Sequence, residues 1–381
     1  MQPVIARAPG KLVVAGEYAV LEQGHRAVAC AVRRHVTVLV QPSARRTVRL
    51  DDQIVPWRLQ GSGMRIDGDG AVLRLIEAAI STAIETVRME GVALPPFSLL
   101  VRSGLRDVSG RKLGLGSSAA TVVAVAAAVL HAARGAPPEP DQLFRIAAAA
   151  HHAVQRSGSG VDVAAAVYGG WIAYRGFGEA WLAAQLGAGR SPAIVAAAPW
   201  PMVEISRLPQ PPLPLAVGWT GHPASTRRRL SQLKRLTAGH EAAYRSFLQE
   251  SEQAVDAVCE AIRAGCREDL ALALRRGRAA LALLSARLGY PIETEALRAL
   301  ADAAERLGGG GKVSGAGGGD CGIAFVPARR RVALTRLWDG AGIVSVPLVC
   351  GAGGVKTRML PAGRIVTTRT GFGGGAADDR R

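Results

Sequence analysis

The chain runs to 381 residues, enough to bury a sizeable core and to favour two domains or one composite unit. Hydrophobic residues make up 49% and charged residues 20%, a balance that excludes a disordered chain. The formal charge of +17 raises nucleic-acid binding, but the densest basic clusters, at 227–229 and 329–331, are short and lack interleaved aromatics, so an enzyme acting on polyanionic ligands, with no nucleic-acid partner, is the expectation.

In chain order, alternating apolar residues predict strands over 11–15, 28–32 and 35–40, with a turn at Gly16-Glu17. A helix is expected over 71–87, a strand over 97–101, and a glycine-bearing loop over 110–116 that opens into an Ala-rich helix over 117–134. Asp141 is read as the N-cap of a helix running to about 155. A Ser/Gly loop at 157–160, a short helix over 161–168 and a strand over 171–174 follow. The proline-rich stretch 199–214 reads as a connection between domains. Beyond it come a strand over 215–219, helical sequence over 230–288, a helix near 294–307, a glycine-rich loop over 308–319 and a strand over 321–326. Strands and helices mixed without regular alternation argue for an α+β fold.

The apolar run 119–130 falls short of the roughly 18–20 residues of a membrane span, and the first residues lack the order of a signal peptide. A soluble cytoplasmic protein with no membrane partner is expected. Cys30, Cys259, Cys266, Cys321 and Cys350 are odd in number and form no CxxC pair, which indicates neither a zinc site nor a disulfide framework.

Three loops carry the chemistry. Gly114-Leu115-Gly116-Ser117-Ser118-Ala119-Ala120 stands at a helix start, where glycines admit an anion to backbone N–H groups and the helix adds its free donors and positive dipole end. Its two hydroxyls suit phosphate oxygens or a magnesium shell. It is neither a Walker A loop nor a dinucleotide fingerprint, and taken alone it is equally a plain Gly/Ser helix start. Ser314-Gly315-Ala316-Gly317-Gly318-Gly319-Asp320-Cys321-Gly322, preceded by four glycines and Lys312, is a second candidate anion nest. Near the start, Ala8-Pro9-Gly10-Lys11 sets a lysine just ahead of Gly16-Glu17-Tyr18, and lysine is a good point charge for a phosphoryl group in transfer.

In order and spacing these three motifs resemble those of the GHMP kinases, a family of small-molecule kinases that includes galactokinase and homoserine kinase. The resemblance covers residues 4–361. It implies an N-terminal, ATP-binding domain over 1–198 like domain 2 of ribosomal protein S5, a ferredoxin-like C-terminal domain over 199–362, and a flexible tail over 363–381. Within the family, Ala150-His151-His152-Ala153-Val154-Gln155, Gly158-Ser159-Gly160-Val161-Asp162 and Trp219-Thr220-Gly221-His222-Pro223-Ala224-Ser225-Thr226 are similar to segments of the phosphomevalonate kinases. So is Gly-Gly-Asp-Cys-Gly in the third motif. Mevalonate kinases place a magnesium-binding Glu eleven residues before their catalytic Asp, where this chain has His151, which is read as a packed or hydrogen-bonding residue. The alternative is a mevalonate kinase or another GHMP small-molecule kinase.

The resemblance implies ATP and Mg2+ as cofactors, 5-phosphomevalonate as the acceptor, and a monomer or homodimer. Lys11 and Asp162 would be catalytic, although Asp162 could instead cap the short helix. Lys112, Gly114, Leu115, Gly116, Ser117, Ser118 and Ala119 would hold ATP, with Ser118 the metal ligand. Lys11, Ser159, Ser225, Ser314, Gly315, Ala316 and Arg227 would face the acceptor, Arg227 having a solvated surface as its alternative.

Overall fold

The computed structural model describes residues 1–361 other than Val108, Met202 and Pro223; the expected flexible tail lies outside the described residues. Its first strand, β1 (Val4–Ala15), starts well before the expected Lys11. Pro9 and Gly10 do not end it, because the pairing with the next strand shifts register between them and so accommodates the proline. That next strand, β2 (Arg26–Pro42), is one long strand where two were expected. β2 also borders two other strands: its first half pairs with β7 (Trp171–Arg175) and its second half with β6 (Phe97–Ser103).

A meander of β3 (Thr47–Leu50), β4 (Gln53–Gln60) and β5 (Gly63–Ile66), for which the sequence raised no expectation, extends the sheet beyond β6. The order is β13-β1-β2-β6-β3-β4-β5, with β8 (Glu204–Leu208) continuing from β7 and β13 (Lys356–Met359) returning late in the chain. The expected connection 199–214 therefore carries a strand of the first sheet. Helices α1 (Ala71–Met89), α2 (Ser117–Arg134) and α4 (Val161–Tyr168) cover this sheet, and α3 (Pro140–Gln155) packs on those helices. α2 is long and apolar enough to cross a membrane by length and composition, yet every residue from Ala119 to His131 is buried. Its Ala and Val side chains suit a helix wedged between sheet and helices. The expected N-cap of α3 is displaced: Glu139 holds that position, Pro140 takes N1, and Asp141 instead accepts a 2.6 Å hydrogen bond from the Tyr168 hydroxyl.

After the short α5 (Glu179–Gly187) and α6 (Pro192–Ala197), the chain crosses to a second sheet at β9 (Leu215–Trp219). The expected helical stretch is three helices, α7 (Thr226–Thr237), α8 (Glu241–Ala264) and α9 (Arg267–Leu288). Gly265 and Gly289 end α8 and α9 in the left-handed conformation. α10 (Glu295–Arg306) is capped by the Thr294 hydroxyl, which accepts from the Leu297 N–H. The glycine run expected as a loop contains β10 (Gly310–Val313). A Cβ at Gly310 would lie 2.7 Å from the Ala271 carbonyl oxygen, and one at Gly311 2.9 Å from Ala301 Cα, so these glycines admit α9 and α10 onto the strand. β11 (Cys321–Phe325), α11 (Arg331–Gly340) and β12 (Val344–Ser345) complete an antiparallel sheet in the order β10-β11-β9-β12. With crossovers between β9 and β10 and between β11 and β12, that is the strand order of a ferredoxin-like domain. The α+β fold is as expected.

Candidate active site

The N-terminus of α2 is open. Gly116 stands at its N-cap with φ 73°, and the first amide hydrogen-bonded within the helix is that of Ala120, to the Gly116 carbonyl. The amides of Ser117, Ser118 and Ala119 are thus left for an anion, with the helix dipole behind them. Lys11 reaches this loop from β1. Its backbone N–H donates to the Leu115 carbonyl at 2.9 Å. Its side chain runs so close to Gly116 that a Cβ there would sit 3.0 Å from Lys11 Cγ. The third motif closes on the same point. The Ser314 hydroxyl accepts from the Val13 N–H at 3.1 Å and donates to the Val13 carbonyl at 2.9 Å. The Tyr18 hydroxyl donates to the Ala316 carbonyl, and the Cys321 thiol to that of Leu113 at 3.0 Å. Burial raises the pKa of the Cys321 thiol to about 12, making it a spacer between motifs and not a nucleophile.

Beneath these contacts lies a buried ion pair. Lys312 of β10 is 1% exposed and Glu17, just beyond β1, 4%. The ammonium donates to the Glu17 carboxylate and, at 2.9 Å, to the Val313 carbonyl. Burial pulls the lysine below its ordinary pKa, and Glu17 opposes that pull. Residues 13–18 and 312–316, some three hundred residues apart in sequence, thus form one seam between the sheets.

A cleft of about 690 Å³ opens along this seam. Lys11, Ser159, Asp162, Gly114, Ser314, Gly315 and Ala316 line it, bringing together residues from all three motifs. Asp162 lies in the first turn of α4 but does not cap it; Gly160 holds the N-cap, in the left-handed conformation. Ser159 is fixed through its carbonyl, which accepts from the Tyr174 hydroxyl at 2.6 Å. Ser225 and Arg227 are not among the lining residues: Ser225 caps α7 by accepting from the Arg228 N–H, and both are exposed. Two residues further on, Arg229 donates to the Ala316 and Pro291 carbonyls at 2.7 and 2.6 Å and stacks on Tyr290. Lys112 is exposed beside the glycine loop.

Asp320 was not expected as a site residue, yet it lines the cleft. It adopts φ 55°, where glycine is the easier residue. Its carboxylate accepts from the Ala224 N–H at 3.1 Å and packs against Gly114, where an added Cβ would meet it at 2.8 Å. Burial raises its pKa, while the Ala224 N–H, Lys11 and Lys112 pull the other way. Its sequence signal is an aspartate directly after the run Gly317-Gly318-Gly319.

Ser118 and His151 meet at 3.1 Å between hydroxyl oxygen and Nε2. Burial holds His151 below the ordinary histidine pKa of 6.5, against the pull of Asp162. In the neutral tautomer protonated on Nδ1, Nε2 accepts the Ser118 proton and leaves the serine oxygen's lone pairs free. Among the described residues, no group of three or more His, Cys, Asp or Glu side chains could hold a metal. The Ser118 hydroxyl beside the open end of α2 would suit a magnesium ion carried largely by phosphate oxygens.

Burial also lowers His131 and His152, the latter with Glu179 opposing. An unfolded chain would protonate these three residues near their ordinary pKa of 6.5, whereas the fold keeps them neutral. Their contribution to stability is therefore complete above that pH and lost as pH falls from it through their lowered folded-state values. The urea midpoint is expected to fall between pH 7.5 and 6.0, a window ordinary carboxylates do not titrate in; a midpoint that held or rose would contradict this.

Family models for the GHMP kinase N-terminal domain and the GHMP kinase C-terminal domain match residues 74–170 and 258–337. The chain is 40% identical to the phosphomevalonate kinase of Streptomyces sp. strain CL190, over 91% of this chain and 96% of that protein. Among solved structures, the Lin0012 protein from Listeria innocua superposes with a TM-score of 0.87 at 36% identity, over 93% of this chain and 99% of that one. The phosphomevalonate kinase of Streptococcus pneumoniae, in complex with phosphomevalonate and AMPPNP, gives 0.77 at 28% identity, over 92% and 100%. With three motifs converging on one cleft and kinship along nearly its whole length, the chain belongs to the GHMP kinase family.

Proposed function

We propose that the protein transfers the γ-phosphoryl group of ATP to the phosphate of (R)-5-phosphomevalonate, giving 5-diphosphomevalonate and ADP in the mevalonate route to isoprenoids. The observation that carries this reading is a cleft in which Lys11, Asp162 and the Ser314 loop meet beside the open end of α2, in a chain kin to a phosphomevalonate kinase along nearly all its length. The acceptor is a phosphate monoester with a second pKa of about 6, so at neutral pH its attacking oxygen is already mostly deprotonated. The new bond forms between that oxygen and the γ-phosphorus as the bond to the bridging oxygen breaks, and the electron pair leaves on ADP. No strong general base is needed, and catalysis rests on alignment and charge neutralisation.

Lys11 neutralises charge between the two reacting phosphates, and Asp162 orients Lys11 or the acceptor. Gly114, Leu115, Gly116, Ser117, Ser118 and Ala119 cradle the triphosphate, with Lys112 at the loop's edge. Magnesium, when bound, neutralises phosphate charge; Ser118, backed by His151, is the protein ligand in this reading. Ser159, Ser314, Gly315 and Ala316 face the acceptor. The protein works as a soluble cytoplasmic enzyme, monomer or homodimer, without nucleic-acid or membrane partner.

Coupled ADP release with ATP and Mg2+ against 5-phosphomevalonate, mevalonate, homoserine and galactose tests the reading. Turnover confined to 5-phosphomevalonate is expected; turnover on mevalonate alone would overturn the acceptor assignment.

A further inference from the structure

Glu179 opens α5, outside all three motifs, and its side chain is only 6% exposed. Its two oxygens face different partners. One accepts from the Gly158 N–H at 3.3 Å, and the other takes the ammonium of Lys234 on α7. Gly158 adopts φ 124°, a conformation that favours glycine, and immediately precedes Ser159 in the loop that leads into Asp162. Gly158, Ser159 and Asp162 form one wall of the cleft, while Thr226 and Leu230 of α7 lie on another. Below the ion pair, Leu233 packs in the cluster that holds Tyr18, Ala19 and Leu21. A single buried carboxylate thus joins the loop carrying Ser159 to the helix that faces it. His152 of α3 faces the same carboxylate.

We propose that Glu179 is a positioning residue for the acceptor side of the cleft, with Lys234 as the partner that draws α7 toward the Gly158-Ser159 loop. The inference rests on the reading of this cleft as the acceptor site. Lys234 is 55% exposed at its side chain, so salt reaches and weakens the pair. Plain electrostatics and positioning then differ in sign at one residue. Removing a negative charge with Glu179→Gln favours an anionic acceptor if charge alone matters, but disfavours it if the carboxylate holds the two walls together.

The test compares wild type with Lys234→Met, Lys234→Arg and Glu179→Gln. Lys234→Met and Glu179→Gln should each raise the KM for 5-phosphomevalonate about five- to tenfold, leave the KM for ATP within about twofold, and make the acceptor KM less salt-dependent than in wild type. Lys234→Arg should restore wild-type behaviour. Without any substrate, amide hydrogen exchange over 226–237 should quicken several-fold in Lys234→Met but not in Lys234→Arg. Unchanged exchange in Lys234→Met overturns the inference whatever the enzyme acts on. So does a Glu179→Gln enzyme with a lower acceptor KM, or an equal rise in both KM values. A wild type inactive on 5-phosphomevalonate, with the expected exchange pattern among the variants, refutes the assigned acceptor and leaves the Glu179–Lys234 tie between the two walls standing.

Discussion

Lys11→Ala is expected to lower kcat about 10²- to 10³-fold while the KM for ATP changes only a few-fold. The split follows from where the binding groups sit. In the proposed reading the triphosphate is held by amides at the start of α2 and by the glycine loop, and the substitution leaves in place the backbone bond from the Lys11 N–H to the Leu115 carbonyl that ties this loop to β1. The lysine side chain, by contrast, runs along Gly116 into the cleft, where on the proposed reading the charge of two phosphates would concentrate in the transition state. Steady-state ADP release checks the expectation. A variant with near-normal kcat would remove Lys11 from the chemistry, and a KM for ATP raised a hundredfold with kcat intact would make it a nucleotide-binding residue instead.

The second large effect concerns stability. Lys312→Met strands the Glu17 carboxylate in the seam between the sheets, where the pair is almost wholly shielded from water. Breaking one partner of such a pair costs about 3–5 kcal/mol, whereas replacing both with apolar groups of similar size is often close to neutral. The urea midpoint should accordingly drop sharply in Lys312→Met and recover most of the loss in Glu17→Leu/Lys312→Met. A single variant within about 0.5 kcal/mol of wild type would mean that Glu17 finds water or takes up a proton, and that the seam does not depend on the pair.

Much of this site could be read along the chain because its chemistry is local. A glycine pair followed by two serines and an apolar run fixes both the start of α2 and its anion-binding end. The exact span of α4 and the strand at β9 were equally plain, from short apolar runs bounded by glycine and proline. What the sequence concealed depends on neighbours distant in the chain. β10 is a strand made of glycines because α9 and α10 press on it, a reason invisible before those helices are placed. Arg227 and Arg229 look alike in a basic run, but on a helix two residues differ by about 200° around the axis, which points only Arg229 at the third-motif loop. Asp320 takes its meaning from Gly114 and Ala224, and Glu179 from Gly158 and Lys234, none of them adjacent in sequence.

The central claim is that the acceptor atom is a phosphate oxygen, and phosphorus NMR of the product tests it most directly. After turnover with ATP and 5-phosphomevalonate, the account predicts that the monoester resonance is replaced by two mutually coupled diphosphate resonances besides those of ADP. Two uncoupled monoester resonances would place the new phosphate on a carbon-bound hydroxyl and contradict it.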